Sequence, residues 1–177
     1  MNALQQIERA AQEQGLRFIV IGGFAVVEHG YTRVTADFDL LVSRGDEQKW
    51  RMLLENLGYK LTQDGDTFLQ YANEEATAWP VDLMFVQPGT FSGLIAAAHP
   101  AKVQGAEPLI VSLEHLLALK LHVLKQGRLH RFLKDFQDVV ELLRINKLDL
   151  RSDRMRDLFL RYGTTDLYEK VQRAVQS

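Results

Sequence analysis

The segment VIGGFAVVEHGYTRVTADFDLLV, from Val20 to Val42, limits the possible folds more than any other part of the chain. It starts at the end of an apolar run, RFIVI, which the pair Gly22-Gly23 interrupts. A second apolar run, DFDLLV, carries two aspartates, although carboxylates are costly inside a sheet unless a cation meets them. Glycines between a strand and a helix let the backbone approach a phosphate. The segment therefore predicts two strands joined by a short helix, with a charged site at the second strand.

The two aspartates of this segment, Asp37 and Asp39, point to the same side of the predicted strand, since side chains on a strand alternate. Like charges about 7 Å apart repel each other unless a cation lies between them. A third carboxylate, Asp82, interrupts the apolar run VDLMF. Three carboxylates on neighbouring strands can hold two divalent metals, Mg²⁺ or Mn²⁺, for phosphoryl or nucleotidyl transfer. Two alternatives stay open: the D-x-D pair can be the solvent face of an edge strand, and Asp82 can be a helix cap or an ion-pair partner.

The other elements predict an α+β (mixed α/β) fold, in which a mixed sheet with flanking helices precedes a C-terminal helical bundle. Apolar periodicity, caps and glycine stops predict helices at 3–14, 24–29, 46–57, 90–98, 113–126, 130–146, 153–162 and 165–176, with Asp46 as the cap of the third. Strands are predicted at 17–21, 37–42, 59–63, 67–72 and 79–86, with short extended pieces at 101–105 and 108–111. We expect a core at residues 1–110 and a helical part at 111–177 that packs on it.

Composition excludes several classes of function. The chain has 177 residues, a formal charge of −2 and no cysteine, so it has no general attraction to nucleic acid, no disulfide and no thiolate site. No apolar run approaches the roughly 20 residues of a membrane helix, and the N-terminus lacks a signal-peptide pattern. We therefore expect a soluble, cytoplasmic protein without a membrane partner.

The order of these motifs resembles the minimal nucleotidyltransferases of the DNA polymerase beta superfamily. Their fingerprint is a Gly-Gly or Gly-Ser pair, a spacer, and Asp-x-Asp or Asp-x-Glu; here the pair is Gly22-Gly23 and the acidic residues are Asp37 and Asp39. Within the superfamily, the segment is most similar to the branch of abortive-infection (AbiEii-like) toxins. That branch has the sequence motif HG-x-x-R-x-T-x-D-x-D, and His29, Gly30, Arg33 and Thr35 match it here. Downstream, the resemblance includes a helix lysine, Lys120, and a basic-Asp-x-x-Asp helix with Lys134, Asp135 and Asp138.

The resemblance implies an enzyme that transfers a nucleoside monophosphate from an NTP to a hydroxyl acceptor and releases pyrophosphate. The acceptor would be an RNA end, a protein side chain or a small molecule, and a toxin role would add an antitoxin partner. The implied catalytic and metal-binding residues are Asp37, Asp39 and Asp82. The implied nucleotide-binding residues are Gly22, Gly23, Arg33, Thr35, Lys120 and Asp135.

The nucleotide-binding roles have alternatives. Arg33 suits a phosphate, one of the site aspartates or an ordinary loop ion pair. Lys120 lies among leucines and either reaches the triphosphate or extends to solvent. Asp135 and Asp138 either orient Lys120 or contact the nucleotide, and Arg131 can form a simple i,i+4 pair with Asp135.

Two other hypotheses come from different classes of function. One is a non-catalytic nucleotide-binding or regulatory module on the same fold. The other is an RNA-binding protein that uses the basic run KQGRLHRFLK, in which Lys125, Arg128, Arg131 and Lys134 are either a binding patch or a solvated helix face.

Overall fold

A computed structural model describes residues 1–74, 79–127 and 129–176, without the side chains of residues 129 and 130. The described helices are α1 (Ala3–Glu13), α2 (Gly22–Glu28), α3 (Glu47–Asn56), α4 (Pro88–Ala97), α5 (Leu113–Lys125), α6 (Leu129–Ile145), α7 (Asp153–Tyr162) and α8 (Thr165–Gln176). The described strands are β1 (Phe18–Val20), β2 (Phe38–Ser43), β3 (Tyr59–Asp64), β4 (Phe68–Asn73), β5 (Val81–Val86), β6 (His99–Pro100) and β7 (Leu109–Ile110). No helix of these ranges is long and apolar enough to cross a membrane.

The strands form one mixed sheet in the order β3-β4-β5-β2-β1-β7-β6. Strand β2 pairs in parallel with β5, and β1 pairs in parallel with β7, whereas the other neighbours are antiparallel. The predicted α+β class, with a mixed sheet and flanking helices, is confirmed. The parallel pairing sets Phe38 beside Val81, so β2 and β5 begin at the same edge of the sheet.

The chain divides into two compact units. Unit 1 comprises Met1–Ala25 and Val34–Ser112 and contains all seven described strands, whereas unit 2 comprises Val26–Arg33 and Leu113–Ser177 and contains α5 to α8. The predicted division into a catalytic core at 1–110 and a helical part at 111–177 also assigns a function to the core, so it stays a prediction.

The core of unit 1 lies around the central strands of the sheet. Ile19, Leu40, Leu41 and Leu83 have no solvent exposure, and each such side chain stabilises the fold by about 1.5–3 kcal/mol relative to an exposed position. Trp50 of α3 is equally buried, and its ring packs edge-on against Phe18 of β1 at 5.8 Å between centroids. These contacts hold β2 and its neighbours in a fixed frame.

Unit 2 is built on the apolar faces of its four long helices. The fully buried residues Leu117, Leu121, Val139 and Phe159 come from α5, α6 and α7, and Phe159 packs edge-on against Tyr168 of α8 at 5.4 Å. Their helical spacing made these four helices predictable from the sequence.

Several local predictions were wrong. The helix after β1 begins at Gly22 rather than at Phe24, so the glycines belong to α2. Asp46 does not cap α3 with its side chain; a short 3₁₀ turn precedes the helix, and the carboxylate lies 3.5 Å from Lys49. Of the two short extended pieces, 108–111 contains a strand, whereas 101–105 contains only an isolated bridge at Val103.

An ion cluster on α3 and β3 makes the stability of unit 1 depend on pH. Arg51 contacts Glu47 at 2.8 Å and Asp64 at 2.9 Å, and these hydrogen bonds lower the pKa of both carboxyls from ordinary values of 4.5 and 3.8. A carboxyl whose pKa is lower in the folded state stabilises the fold above its unfolded pKa, and this stabilisation is lost as the pH falls through the folded value.

We expect Arg51→Met to raise the pKa of Glu47 and of Asp64 towards their ordinary values. NMR titration of the two carboxyl carbons measures both shifts. The urea midpoint of the variant should then depend less on pH between about 5 and 2 than that of the wild type. Lys49→Met removes the same charge from the same helix without touching either carboxyl, and it should leave both titrations unchanged. Unchanged titrations in Arg51→Met would contradict the assignment.

Candidate active site

Three carboxylates meet where β2 and β5 begin. Asp37 immediately precedes β2, Asp39 is the second residue of β2, and Asp82 is the second residue of β5. The parallel register sets Asp39 directly beside Asp82, and one carboxylate oxygen from each of the three residues lies within 4.8 Å of the other two. All three residues are half-buried. The sequence prediction that these aspartates converge is therefore matched by the structure.

The position of β2 excludes one of the alternatives. Strand β2 lies between β5 and β1 in the interior of the sheet, so the D-x-D pair does not belong to an edge strand. The residue between the aspartates, Phe38, is only 3% exposed and points to the other face. This alternation fixes both carboxylates on one side of the strand, because a shift of one residue would bury them and expose Phe38.

Each of the three carboxylates accepts a hydrogen bond from a neutral donor. The Thr35 hydroxyl donates to Asp37 Oδ1 at 3.1 Å. The backbone N–H of Gly23 donates to Asp39 Oδ2 at 3.4 Å, and the Gln70 amide donates to Asp82 Oδ2 at 2.9 Å. Sequence reasoning included Thr35 and Gly23 but missed Gln70, which has no motif and is recognisable only from the pairing of β4 with β5.

Glycine is required at position 22 by the approach of Asp39. Gly22 has φ +61°, and a Cβ atom there would lie 1.7 Å from Asp39 Oδ2 and 2.7 Å from Asp39 Cβ. The overlap includes the base of the Asp39 side chain, so rotation of the carboxylate alone cannot relieve it. The Gly-Gly pair and the D-x-D pair are thus parts of one packed arrangement.

We expect Gly22→Ala to displace Asp39 and to lower the nucleotidyl transfer that the sequence resemblance implies by about 100-fold, since a misplacement of about 1 Å has this effect on catalysis. The positive φ adds about 1–2 kcal/mol of strain. Transfer kinetics and urea unfolding measure the two effects.

The matched control for this change is Gly93→Ala. Gly93 lies in α4, where an added Cβ meets nothing within 4 Å, so alanine should raise stability by about 0.5–1 kcal/mol and leave activity unchanged. Equal activity of Gly22→Ala and Gly93→Ala would contradict the close packing at Gly22.

An aromatic cluster holds α2 beside the start of β2. Phe24, Phe38 and Trp79 are stacked, with ring centroids 5.1–5.4 Å apart and interplanar angles of 19–28°. Such pairs contribute about 0.5–1.5 kcal/mol each beyond the burial of their area. The cluster fixes the helix that begins with the glycines, and the sequence prediction did not include it.

The predicted residue Lys120 is buried in unit 2. It is 6% exposed, and its ammonium lies 2.8 Å from Asp135 Oδ1 and 2.6 Å from Asp138 Oδ2. The alternative that Lys120 extends to solvent is therefore wrong. Asp135 and Asp138 both contact Lys120, and the prediction that Lys120 and Asp135 bind the nucleotide stays a prediction.

Arg33 completes this cluster through Asp138. Its Nε and one terminal nitrogen donate to the two oxygens of Asp138 at 2.8 and 3.1 Å. Arg131 lies farther away, with Nε 3.8 Å from Asp135 Oδ2, and this buried oxygen has no hydrogen-bond partner among the described residues. Arg33, Lys120 and Asp135 thus belong to an ion network of unit 2, whereas the three site aspartates, the glycines and Thr35 belong to unit 1.

The basic run, from the last residue of α5 into the first turns of α6, is solvent-exposed where it is described. Lys125, Arg131 and Lys134 are exposed, and Arg128 lies outside the described residues. The exposure fits a solvated helix face as well as a binding patch.

The carboxylate cluster fits a divalent metal. Its donors are hard oxygen atoms, which Mg²⁺ and Mn²⁺ prefer, and they converge from two adjacent strands within 4.8 Å. Asp37, Asp39 and Asp82 are the residues that would hold such an ion.

Comparison with known proteins agrees with this geometry. A family model described as an uncharacterised nucleotidyltransferase matches residues 1–176. The search of curated proteins gave no match.

The fold is similar to that of solved nucleotidyltransferases. The antibiotic-resistance factor ANT(2″)-Ia in complex with adenylyl-2″-tobramycin has a TM-score of 0.64 at 14% identity, over 96% of this chain and 95% of that one. The lincomycin-bound lincosamide antibiotic adenylyltransferase LnuA has a TM-score of 0.56 at 17% identity, over 81% and 96%. An antigenic nucleotidyltransferase-like protein from Paracoccidioides brasiliensis has a TM-score of 0.58 at 15% identity, over 98% and 91%. At these identities the likeness concerns the fold, while the family match over nearly all residues shows that this chain belongs to the nucleotidyltransferases.

Proposed function

We propose that this protein is a metal-dependent nucleotidyltransferase that moves a nucleoside monophosphate from an NTP to a hydroxyl acceptor. The observation that carries the proposal is the convergence of Asp37, Asp39 and Asp82 within 4.8 Å. They converge where β2 and β5 begin, and there Gly22 packs against Asp39. Mg²⁺ or Mn²⁺ held by the three aspartates would supply charge for the triphosphate and would lower the pKa of the acceptor hydroxyl.

The reaction balances without another reagent. The acceptor oxygen forms a bond to the α-phosphorus, and the bond from that phosphorus to the bridging oxygen breaks. Pyrophosphate leaves with the electron pair of this bond. We propose that Asp82 takes the proton of the acceptor hydroxyl. The Oδ2 atom of Asp82 also accepts a hydrogen bond from the Gln70 amide.

The proposed nucleotide-binding residues either contact the nucleotide directly or orient another residue of the site. The backbone at Gly22-Gly23 has no side chain, so it can approach the phosphates closely. Thr35 orients Asp37 through its hydroxyl. The ammonium of Lys120 lies 2.8 Å from Asp135 and 2.6 Å from Asp138, and its contact with the nucleotide is proposed from the sequence resemblance alone.

For the acceptor we propose a hydroxyl of a small molecule as the first class to test. Among structures of this fold, one contains an adenylylated aminoglycoside, tobramycin, and another contains lincomycin. An RNA end and a protein side chain are the other acceptor classes. The narrower resemblance to abortive-infection toxins, with a toxin role and an antitoxin partner, stays a prediction, as does a cytoplasmic location.

The test uses NTPs labelled at the α- or the γ-phosphate, with Mg²⁺ or Mn²⁺ and either purified aminoglycosides and lincosamides or cell extract. Transfer of the α-label, release of pyrophosphate and loss of both with a chelator are the expected results. Transfer of the γ-label would contradict nucleotidyl transfer.

The second candidate is the non-catalytic nucleotide-binding module, and the complete set of three converging carboxylates weighs against it. Binding of NTP without pyrophosphate release under every condition would favour this candidate. An RNA-binding protein that uses the exposed cations of α6 would show strongly salt-dependent RNA affinity that survives Asp39→Ala.

A further inference from the structure

We propose that Gln70 is a positioning residue for Asp82 and that the reaction depends on its amide. The inference rests on the proposed metal-dependent transfer, because it assigns Gln70 a role towards one carboxylate of that site. No motif includes Gln70, and only the sheet pairing brings it to the site.

The sheet places Asp82 between two polar neighbours in a single row. On one side, the parallel pairing of β5 with β2 sets Asp39 beside Asp82. On the other side, the antiparallel pairing of β5 with β4 sets Gln70 directly opposite Asp82. Directly opposite residues share a face of the sheet, so Asp39, Asp82 and Gln70 lie in one row across three strands.

The contact within this row is short and partly shielded from solvent. Gln70 Nε2 donates to Asp82 Oδ2 at 2.9 Å, an ordinary distance for a strong hydrogen bond, and both residues are half-buried. The bond resists rotation of the carboxylate about its Cβ–Cγ bond. Asp82 therefore keeps a fixed orientation towards the other two carboxylates.

The backbone that carries Gln70 is itself held in place. A β-bulge lies between Leu61 and Gln63 of β3, opposite this part of β4, and the Thr62 hydroxyl donates to the Gln70 carbonyl at 3.1 Å. Bulges next to active sites commonly direct side chains towards the site. Here the bulge brings the Thr62 hydroxyl of β3 to the backbone carbonyl of Gln70 in β4.

An amide suits this position for an electrostatic reason. A lysine or arginine here would neutralise Asp82 and reduce its attraction for a divalent cation. A carboxamide donates a hydrogen bond without adding charge, so the carboxylate keeps its full charge for a metal ion while its orientation is fixed. Such outer partners of metal ligands are typically worth 10–100-fold in metal affinity or activity.

The test measures Mn²⁺ binding by electron paramagnetic resonance, without nucleotide, and then the kinetics. Gln70→Met keeps the volume of the side chain and removes the donor. We expect its Mn²⁺ dissociation constant to rise about tenfold and its kcat to fall about tenfold, with a KM for NTP within about twofold of the wild type. Gln70→Asn withdraws the amide by about 1.5 Å and should reproduce the loss, which guards against failure of the methionine variant to fold.

The matched control is Gln63→Met. Gln63 pairs with Gln70 one strand farther from the carboxylates, and it is exposed. This change should leave Mn²⁺ affinity and kcat unaltered. Circular dichroism and thermal unfolding establish that all variants fold.

A double-mutant cycle separates positioning from a general structural role. If Gln70 acts through Asp82, Gln70→Met should add no further loss of Mn²⁺ affinity in the Asp82→Asn background. Additive losses would overturn the inference, and so would wild-type affinity in Gln70→Met while Asp82→Asn loses Mn²⁺. Absence of Mn²⁺ binding to the wild-type protein would instead overturn the metal site of the proposed function, and the inference with it.

Discussion

Asp39→Asn is expected to reduce the rate of nucleotidyl transfer by about 1,000-fold, or about 4 kcal/mol in the activation free energy. The amide is almost isosteric with the carboxylate, so the packing against Gly22 is kept while the charge is lost. Asp39 lies at the centre of the site, with the Gly23 N–H on one side and Asp82 in register on the other. In the proposed metal site, its charge would therefore contribute directly to binding a divalent ion.

The measurement is a single-turnover assay with α-labelled NTP and saturating acceptor, in which chemistry is separated from product release. Asp66→Asn is the matched control, because Asp66 is an exposed aspartate of unit 1 in the turn between β3 and β4. This control should retain the full rate. More than a tenth of the wild-type rate in a folded Asp39→Asn protein would refute the role of Asp39 in the site.

Much of the fold was predictable because its signals are local. The hairpin of β3 and β4 follows from two alternating runs around Asp64-Gly65-Asp66, and the four helices of unit 2 follow from apolar stripes bounded by turn residues. The convergence of the site aspartates was predictable for a different reason. Carboxylates in apolar runs are costly, so their presence in two strands indicates a shared site.

The features that the sequence did not reveal depend on long-range pairing. Gln70 contacts Asp82 only because β4 lies antiparallel to β5 in one particular register. The stacking of Trp79 with Phe24 requires the sheet and α2 to be assembled first. At Asp46 a local signal was misleading. Aspartate is a good capping residue, but a 3₁₀ turn precedes α3 here, and the Asp46 side chain makes no capping hydrogen bond.

The ion network of unit 2 also required tertiary information. The spacing of Asp135 and Asp138 on α6 predicted that both could face one partner, but it did not show that Lys120 would be removed from solvent. Burial changes how much the ion pairs contribute to the free energy of unfolding. Exposed ion pairs contribute at most about 1 kcal/mol, whereas breaking a buried network leaves uncompensated charge in a medium of low dielectric constant.

Lys120→Met is therefore expected to lower the free energy of unfolding by about 3–5 kcal/mol. When only side-chain atoms are considered, the exposed fraction is 7% for Lys120, 5% for Asp135 and 1% for Asp138. Methionine keeps most of the length and volume, so packing changes little. The loss arises because Asp135 is left without its closest cation, whereas Asp138 keeps its two hydrogen bonds from Arg33.

Urea unfolding followed by circular dichroism measures this loss. Lys125→Met lies on the same helix at an exposed position, and it should change stability by no more than about 0.5 kcal/mol. Adding Asp135→Asn to Lys120→Met should recover part of the stability, because it removes the buried charge that the first change left uncompensated. A Lys120→Met protein as stable as Lys125→Met would show that the network contributes nothing to folding. The stability of this one variant therefore decides whether the cluster of Lys120, Asp135 and Asp138 supports the fold of unit 2.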